Sequence, residues 1–138
     1  MSLPIRIAAA IVRDGDGRVL LVRKRGTTAF MQPGGKIGPD EDALTALARE
    51  VREELGCSIR MATARCLGQF SAPAANEAGA TVIADLYEIE LDGEAEAAAE
   101  IAELAWVLPG AADAYRLAPL TRECVLPLLE GSKQGGSS

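Results

Sequence analysis

Histidine is absent from this chain of 138 residues, and cysteine and aromatic residues are few. A chain without histidine holds neither a Ser-His-Asp triad, nor a Cys-His dyad, nor a zinc ion with imidazole ligands. The three cysteines, Cys57, Cys66 and Cys124, form no CxxC pair and are odd in number. A disulfide framework is therefore not expected, and the sequence predicts a protein of the reducing cytoplasm.

Positive charge and long apolar runs are also scarce. Lys and Arg number 14 against 20 Asp and Glu, which gives a net charge of −6. This balance argues against a nucleic-acid partner, because such binding needs a basic face, but it leaves a small phosphorylated substrate open. No apolar run approaches the ~20 residues of a membrane helix, and residues 1–6 contain no hydrophobic signal core. A membrane partner is therefore not predicted.

The hydrophobic fraction of 49% is ample for one core. The length predicts a single domain over residues 1–130, and the Gly- and Ser-rich tail at 131–138 is predicted to be disordered. Apolar and alternating segments predict strands at 5–13, 18–24, 58–70, 81–91 and 103–108, with loops at 26–40 and 71–80. Helices are predicted at 41–55 and 118–130. Interleaved strands and helices indicate an α/β or α+β fold.

Helix 41–55 has a clear apolar stripe. Its members follow the i, i+3/i+4, i+7 rule and are Leu44, Leu47, Ala48, Val51 and Leu55. Asp40 or Asp42 can cap the start of the helix, and Gly56 is a suitable C-terminal stop. The stripe predicts that this helix packs on the core through one face.

A second face of the same helix carries Glu50, Glu53 and Glu54 within an arc of about 100°. Like charges at these spacings destabilise a helix by roughly 0.2–0.5 kcal/mol per pair. The dipole near the helix C-terminus also disfavours anions. Two interpretations remain open: a solvated face whose acids pair with Arg49 and Arg52, or a hard-metal site suited to Mg²⁺ or Mn²⁺.

The stretch 35–57 resembles the Nudix box, GX5EX7REUXEEXGU, in which U is a bulky aliphatic residue. The matching positions are Gly35, Glu41, Arg49, Glu50, Val51, Glu53, Glu54 and Gly56. Cys57 departs from the pattern, but a buried cysteine acts as a small apolar residue. Pro33-Gly34 and Phe30 also fit the family, whereas Gln32 replaces a residue that is usually apolar.

The resemblance covers about residues 4–130 and implies a Nudix-type α/β/α sandwich. In that fold a mixed β-sheet lies between helices, and the box forms a loop-helix-loop. Family members hydrolyse a diphosphate linkage in nucleoside diphosphates joined to another group X, with divalent metals on the phosphate oxygens. The box glutamates present here favour an active enzyme over a nucleotide-binding regulator that has lost catalysis.

The resemblance also implies residue roles. Glu50, Glu53 and Glu54 are the expected ligands of Mg²⁺, for which Mn²⁺ can substitute, and a carbonyl of the Gly34-Gly35 pair completes the set. Glu53 is the expected general base and Arg49 the residue that orients the carboxylates. The expected roles of Glu41 and Gly56 are structural, with Glu41 holding the box loop.

Two basic residues, Arg23 and Lys36, stand where related proteins contact substrate phosphates, although surface basic residues are more often solvent-facing. Many family members add one acid from elsewhere. We expect Glu103 in that role, followed by Glu100 and Glu77; the alternative is that all three are solvated. Trp106 is expected in the core, with contact to a base as the alternative.

The leading substrate hypothesis is a MutT-like nucleoside triphosphate pyrophosphohydrolase, which releases a nucleoside monophosphate and pyrophosphate. The alternative is an ADP-ribose or nucleotide-sugar diphosphatase, some of which carry a proline where Pro73 stands, about sixteen residues past the box. A homodimer is common in the family and is expected only by analogy.

Overall fold

Small residues along the first strand let helices approach both faces of one sheet. The computed structural model describes residues 3–130. Strand β1 (Ile5–Val12) lies between β3 (Gly34–Lys36), its antiparallel neighbour, and β6 (Thr81–Ile89), its parallel neighbour. Strand β5 (Arg65–Pro73) pairs antiparallel with β6 and completes the order β3-β1-β6-β5. The mixed sheet predicted from the family resemblance is confirmed.

Two shorter ladders border this sheet. Strand β2 (Val19–Lys24) pairs antiparallel with β8 (Ile101–Val107), and the register shifts between Arg23 and Lys24. Strand β4 (Ser58–Ile59) pairs with β7 (Leu91–Asp92). Helix α1 (Ala43–Leu55) follows β3, and residues 119–130 form a second helix, α2, which contains a π-helical turn at Thr121–Val125.

Two apolar cores lie on opposite faces of β1, because successive side chains of a strand point to opposite sides. Ala8, Ala10 and Val12 pack with the buried residues of α1. Ala9 and Ile11 pack with the buried residues of α2. The helices therefore cover both faces, which gives the predicted α/β/α sandwich.

Helix α1 begins and ends on local signals. The Asp42 Oδ1 atom accepts a hydrogen bond from the Thr45 amide at 2.8 Å, so Asp42 and not Asp40 is the cap. Gly56 ends the helix with φ of 70°, a left-handed conformation that glycine adopts without strain. Leu47, Val51 and Leu55 are buried as predicted.

The predicted stripe needs one correction. Leu44 and Ala48 are only half-buried, whereas Ala46 and Glu54 are buried. The helix is therefore rotated toward its acidic side, because the β3 loop covers part of that side.

Several predicted element bounds are also corrected. The strand predicted at 58–70 is broken by a 3-10 turn at Met61–Thr63 into β4 and β5, and β5 continues into the predicted loop as far as Pro73. The loop predicted at 26–40 contains β3, and β8 begins two residues before the predicted 103. The tail at 131–138 lies outside the described residues. Over the part of the chain that is described, no helix has the length and apolar character needed to cross a bilayer.

Candidate active site

Two glycines bring the box loop and helix α1 into close contact. In β3, Gly34 lies opposite Ala9 of β1 and has φ of 146°. A Cβ atom at Gly34 would lie 2.1 Å from the Ala8 carbonyl oxygen, and one at Gly35 would lie 2.2 Å from Glu50 Oε2. The absence of side chains therefore lets β3 pair tightly and lets the Glu50 carboxylate reach the main chain.

Glu54 is a buried carboxylate, since only 5% of the residue is exposed. Its Oε1 atom accepts a hydrogen bond from the Gly34 amide at 3.1 Å. Burial raises the pKa of Glu54 to about 7, although the Gly34 hydrogen bond and the charge of Lys24 oppose that rise. Within residues 3–130 no arginine or lysine forms an ion pair with this side chain. A buried anionic oxygen without a salt bridge is a suitable place for a cation.

Arg49 connects the box loop to the other glutamates. Its Nε and Nη2 atoms donate to the two carboxylate oxygens of Glu41, both at 2.8 Å. These hydrogen bonds, with one from the Gly38 amide at 2.8 Å, lower the pKa of Glu41 to about 2. The Nη1 atom lies 3.3 Å from Glu50 Oε2 and 3.7 Å from Glu53 Oε1. Arg49 thus holds two carboxylates through a guanidinium that Glu41 anchors.

The acidic face of α1 is divided by burial. The Glu50 side chain is 18% exposed, and burial raises its pKa, with Arg49 opposing and Glu53 adding to the rise. The Glu53 side chain is 54% exposed. The structure therefore brings Glu50 and Glu54 to the β3 loop and places Glu53 toward solvent.

The donor set fits a hard divalent cation. Carboxylate and carbonyl oxygens are the ligands that Mg²⁺ and Mn²⁺ prefer. Among residues 3–130, no three acidic, thiol or imidazole side chains lie close enough together to hold a metal ion in their present conformations. Arg49 and the Gly34 amide occupy the glutamate oxygens instead.

Two residues predicted for the site, Arg23 and Glu103, bind each other. They face one another across β2 and β8, and Arg23 Nε donates to Glu103 Oε1 at 3.1 Å. Arg23 Nη1 also donates to the Thr27 carbonyl at 2.8 Å. Both charged groups are thereby engaged in a cross-strand ion pair.

Glu100, unlike Glu103, acts electrostatically on a box glutamate. It lies in the turn before β8, and its charge contributes to the raised pKa of Glu54. The same turn contacts the end of α1, since the Ala98 amide donates to the Glu54 carbonyl at 3.0 Å. Glu77 is the third candidate acid outside the box. It lies on the rim of a cavity beside β3, which neither Glu100 nor Glu103 lines.

Sequence reasoning missed Lys24. The charge of Lys24 opposes the rise in the pKa of both Glu50 and Glu54, which burial causes. The alternation of side chains along β2 could have predicted Lys24. Residues 20, 22 and 24 point to the same face of the strand, and Leu20 and Val22 pack on the α1 side. Arg23, the predicted residue, points to the opposite face.

The cavity beside β3 has a volume of about 160 Å³. Its lining includes two glycines, Gly34 and Gly35, and two cationic residues, Lys24 and Lys36. Its apolar lining residues include Ile5, Ile7, Val82 and Leu120, and residues 73–77 form a rim. A cavity with cationic and apolar parts suits a ligand that joins an anionic group to a flat apolar one.

A larger cleft, of about 760 Å³, lies elsewhere and is lined by no residue of the box, whereas Gly35 and Lys36 of the box line the smaller cavity. Trp106 lines that cleft and packs against the core on the α1 side, so it does not line the smaller cavity. The cleft's other charged side chains include Arg13, Arg18 and Glu88, and Arg13 is paired with Glu88 at 3.0 Å. Because the smaller cavity adjoins β3 and the box, it is the relevant one here.

Comparison with known proteins identifies the family. A family model described as NUDIX domain matches residues 3–128. The chain is 32% identical over 132 residues to the CTP pyrophosphohydrolase of Escherichia coli (strain K12), an alignment that covers 91% of this chain and 89% of that protein. It is 48% identical over 46 residues to the RNA pyrophosphohydrolase of Halorhodospira halophila, which covers 33% of this chain and only 25% of that protein.

Solved structures show the same architecture. A MutT NUDIX hydrolase from Burkholderia pseudomallei superposes with a TM-score of 0.69 at 25% identity, covering 80% of this chain and 87% of the other. A UDP-X diphosphatase superposes with a TM-score of 0.78 at 22% identity, covering 99% of this chain and 66% of the other, which is a likeness of fold.

The fold, the glutamate-bearing helix and these matches define an α/β/α hydrolase. The chain belongs to the Nudix family and is a Nudix hydrolase. Enzymes of this family act on small nucleotide substrates and generally need divalent cations.

Proposed function

We propose that this enzyme hydrolyses a nucleoside triphosphate to a nucleoside monophosphate and pyrophosphate, with Mg²⁺ as its cofactor. The observation that carries the proposal is the contact between box glutamates of α1 and the two glycines that line the β3 cavity. Gly34 contacts Glu54 and Gly35 contacts Glu50. The similarity over nearly the whole chain to a CTP pyrophosphohydrolase supports a triphosphate substrate.

Glu50, Glu53 and Glu54, with a carbonyl of the Gly34-Gly35 pair, are the residues that would hold the cation. A divalent cation supplies neutralisation of phosphate charge and a more acidic water at neutral pH. In this role Mn²⁺ can replace Mg²⁺, because both accept oxygen ligands.

The remaining residues bind and orient. Arg49, anchored by Glu41, keeps the Glu50 and Glu53 carboxylates in place through charge-assisted hydrogen bonds. Lys24 and Lys36 line the cavity, where they attract the phosphate chain. Pre-positioned charges of this kind lower the cost of bringing an anionic substrate and water together.

Proton removal from the attacking water is assigned to Glu53 within the box. One acid outside the box assists, either as a further metal ligand or as a base. Glu103 was the first expectation for that acid, but its carboxylate is engaged by Arg23. We therefore propose Glu100, whose charge acts on Glu54 and whose turn contacts the end of α1.

A nucleotide-sugar or ADP-ribose diphosphatase is the second candidate. The observation that favours it is Pro73, which lies on the cavity rim at the place where a proline occurs in some such enzymes. The rim residues 73–77 would then contact the second sugar. Arg23 stays a weaker candidate for phosphate contact, because its guanidinium is already bound to Glu103 and Thr27.

A substrate panel tests the choice. The four ribonucleoside triphosphates, ADP-ribose and several nucleoside diphosphate sugars would be incubated with Mg²⁺, and the products separated by anion-exchange chromatography. We expect pyrophosphate and a monophosphate from at least one triphosphate, with a higher kcat/KM than for any diphosphate conjugate. The reverse order would favour the diphosphatase, and no turnover of either class would overturn the proposal.

We further propose a cytoplasmic location and a homodimer. The three cysteines are free, and Cys66 is exposed, which suits a reducing compartment. The homodimer rests on family analogy and is tested by sedimentation equilibrium, in which a monomer mass at all concentrations would exclude it.

A further inference from the structure

A buried amide with an unused donor lies in the wall of the β3 cavity. Gln32 is only 5% exposed and lines that cavity, although it precedes Pro33 where the family usually has an apolar residue. Its Nε2 atom is buried and has no hydrogen-bond partner among the described residues. Buried amide groups are nearly always paired, because an unpaired donor loses its hydration without compensation. An unpaired donor on a residue that lines a cavity is a candidate partner for an acceptor on a bound ligand.

A second buried residue fixes the orientation of this amide. The Thr121 hydroxyl, which is 1% exposed, donates to Gln32 Oε1 at 2.6 Å, across 89 residues of sequence. This bond uses the carbonyl end of the amide and leaves the two N–H groups free. A polar side chain held by a second buried residue is a preorganised recognition group rather than a flexible one.

The backbone around Thr121 is also unusual. Thr121 opens the π-helical turn of α2, in which the Leu126 amide donates to the Thr121 carbonyl. Single π-helical turns within α-helices occur often at functional sites. Ala118 and Leu120, just before this turn, line the same cavity as Gln32. The turn thus places the hydroxyl behind the cavity wall while its neighbours form the wall itself.

We propose that Gln32 is a specificity-determining residue whose amide nitrogen donates a hydrogen bond to a carbonyl oxygen of the substrate's nucleobase. The preferred substrates are then nucleotides of guanine, hypoxanthine, uracil or cytosine. Adenine is disfavoured because it carries an amino donor at the position where guanine and hypoxanthine carry a carbonyl oxygen. Because it takes the cavity to be the nucleotide site, this assignment rests on the proposed function. A base that leaves the buried donor unpaired loses roughly 5- to 150-fold in affinity.

The test measures base selectivity in two ways. Isothermal titration calorimetry in EDTA gives the Kd of inosine, uridine, cytidine and adenosine monophosphates, and steady-state kinetics with Mg²⁺ gives kcat/KM for the triphosphates. The selectivity ratio is the affinity of the best carbonyl-bearing nucleotide divided by that of the adenosine nucleotide. We expect a ratio of about 10 or more for the parent enzyme.

Gln32→Met keeps the size of the side chain and removes both amide groups. Its ratio should fall toward one, mainly through KM. The change removes one buried unpaired donor but also takes the acceptor from the Thr121 hydroxyl, so thermal melting is used to check that the variant folds. Gln69→Met is the matched control, since Gln69 is exposed on β5 and bonds Asp85 at 3.0 Å, outside the cavity lining. The control should keep the parent ratio.

Thr121→Val provides a second variant if Gln32→Met does not fold. It removes the hydroxyl that orients the amide, so the amide can turn either end to the base and the ratio should also fall. The inference is overturned if the parent binds adenosine nucleotides as tightly as the others, or if a folded Gln32→Met or Thr121→Val variant keeps the parent ratio. Selective binding without turnover would instead contradict the proposed function alone, and turnover without selectivity would contradict this inference alone.

Discussion

Glu54→Gln should stabilise the metal-free protein at alkaline pH and abolish most of its activity. The carboxylate is buried, and no arginine or lysine within residues 3–130 pairs with it. Gln has nearly the same shape and can still accept the Gly34 hydrogen bond, so the substitution removes a charge with little change in packing. The expected gain is therefore the cost of burying that charge.

The structure gives the magnitude and the sign. The pKa of Glu54 is raised from 4.5 to about 7 in the folded protein. A shift of that size corresponds to roughly 3 kcal/mol, because one pKa unit is 1.36 kcal/mol. Since the folded-state pKa is raised for an acid, the folded protein binds more protons than the unfolded chain between these two values. Stability is therefore unaffected by Glu54 below about pH 4.5, falls as the pH rises toward 7, and stays reduced above it.

The assay is urea unfolding, followed by circular dichroism, in EDTA at pH 5 and pH 8. At pH 8 the Glu54→Gln variant should be more stable than the parent by about 1–3 kcal/mol, and at pH 5 the difference should largely vanish. Glu94→Gln is the control, because Glu94 is exposed and the change in net charge is the same. It should leave the parent's pH dependence intact.

Two results would refute this reasoning. Equal stability of the parent and Glu54→Gln at pH 8 would mean that ionisation of the buried carboxylate does not lower the free energy of unfolding. Near-normal turnover by Glu54→Gln with Mg²⁺ would remove Glu54 from the metal site. A further expectation is that saturating Mg²⁺ stabilises the parent more than the variant, because only the intact site gains binding free energy on folding.

Excess EDTA should abolish hydrolysis, and Mg²⁺ or Mn²⁺ should restore it; full activity in EDTA would contradict metal dependence. Glu53→Gln should lose most turnover with a stability change of at most about 0.5 kcal/mol, because the side chain is largely exposed; a phosphate-release assay and thermal melting check both. Gly35→Ala should reduce activity by displacing a box carboxylate while the protein stays folded, whereas Gly34→Ala should unfold it, since its Cβ would meet the β1 backbone. Glu100→Gln should lower kcat at least ~100-fold and Glu103→Gln only slightly; equal effects would exclude Glu100 as the assisting acid.

Local patterns in the sequence predicted the elements that depend on neighbouring residues. Period-3.6 spacing and the flanking Asp42 and Gly56 predicted α1, since capping and amphipathicity act within a few residues. The spacing of the box predicted the family and the acidic face of that helix. Strand bounds near residues 58–73 were less predictable, because the 3-10 turn that divides them depends on pairing with distant strands.

Contacts between distant segments decided the rest of the site. The sequence placed three glutamates on one arc, but only the packing of β3 against α1 buried Glu54 and left Glu53 toward solvent. Pairing of β2 with β8 joined Arg23 to Glu103, although 80 residues separate them. The bond from Thr121 to Gln32 spans 89 residues. Burial and ion pairing depend on which segments meet in space, and periodicity along the chain carries no information about residues that far apart.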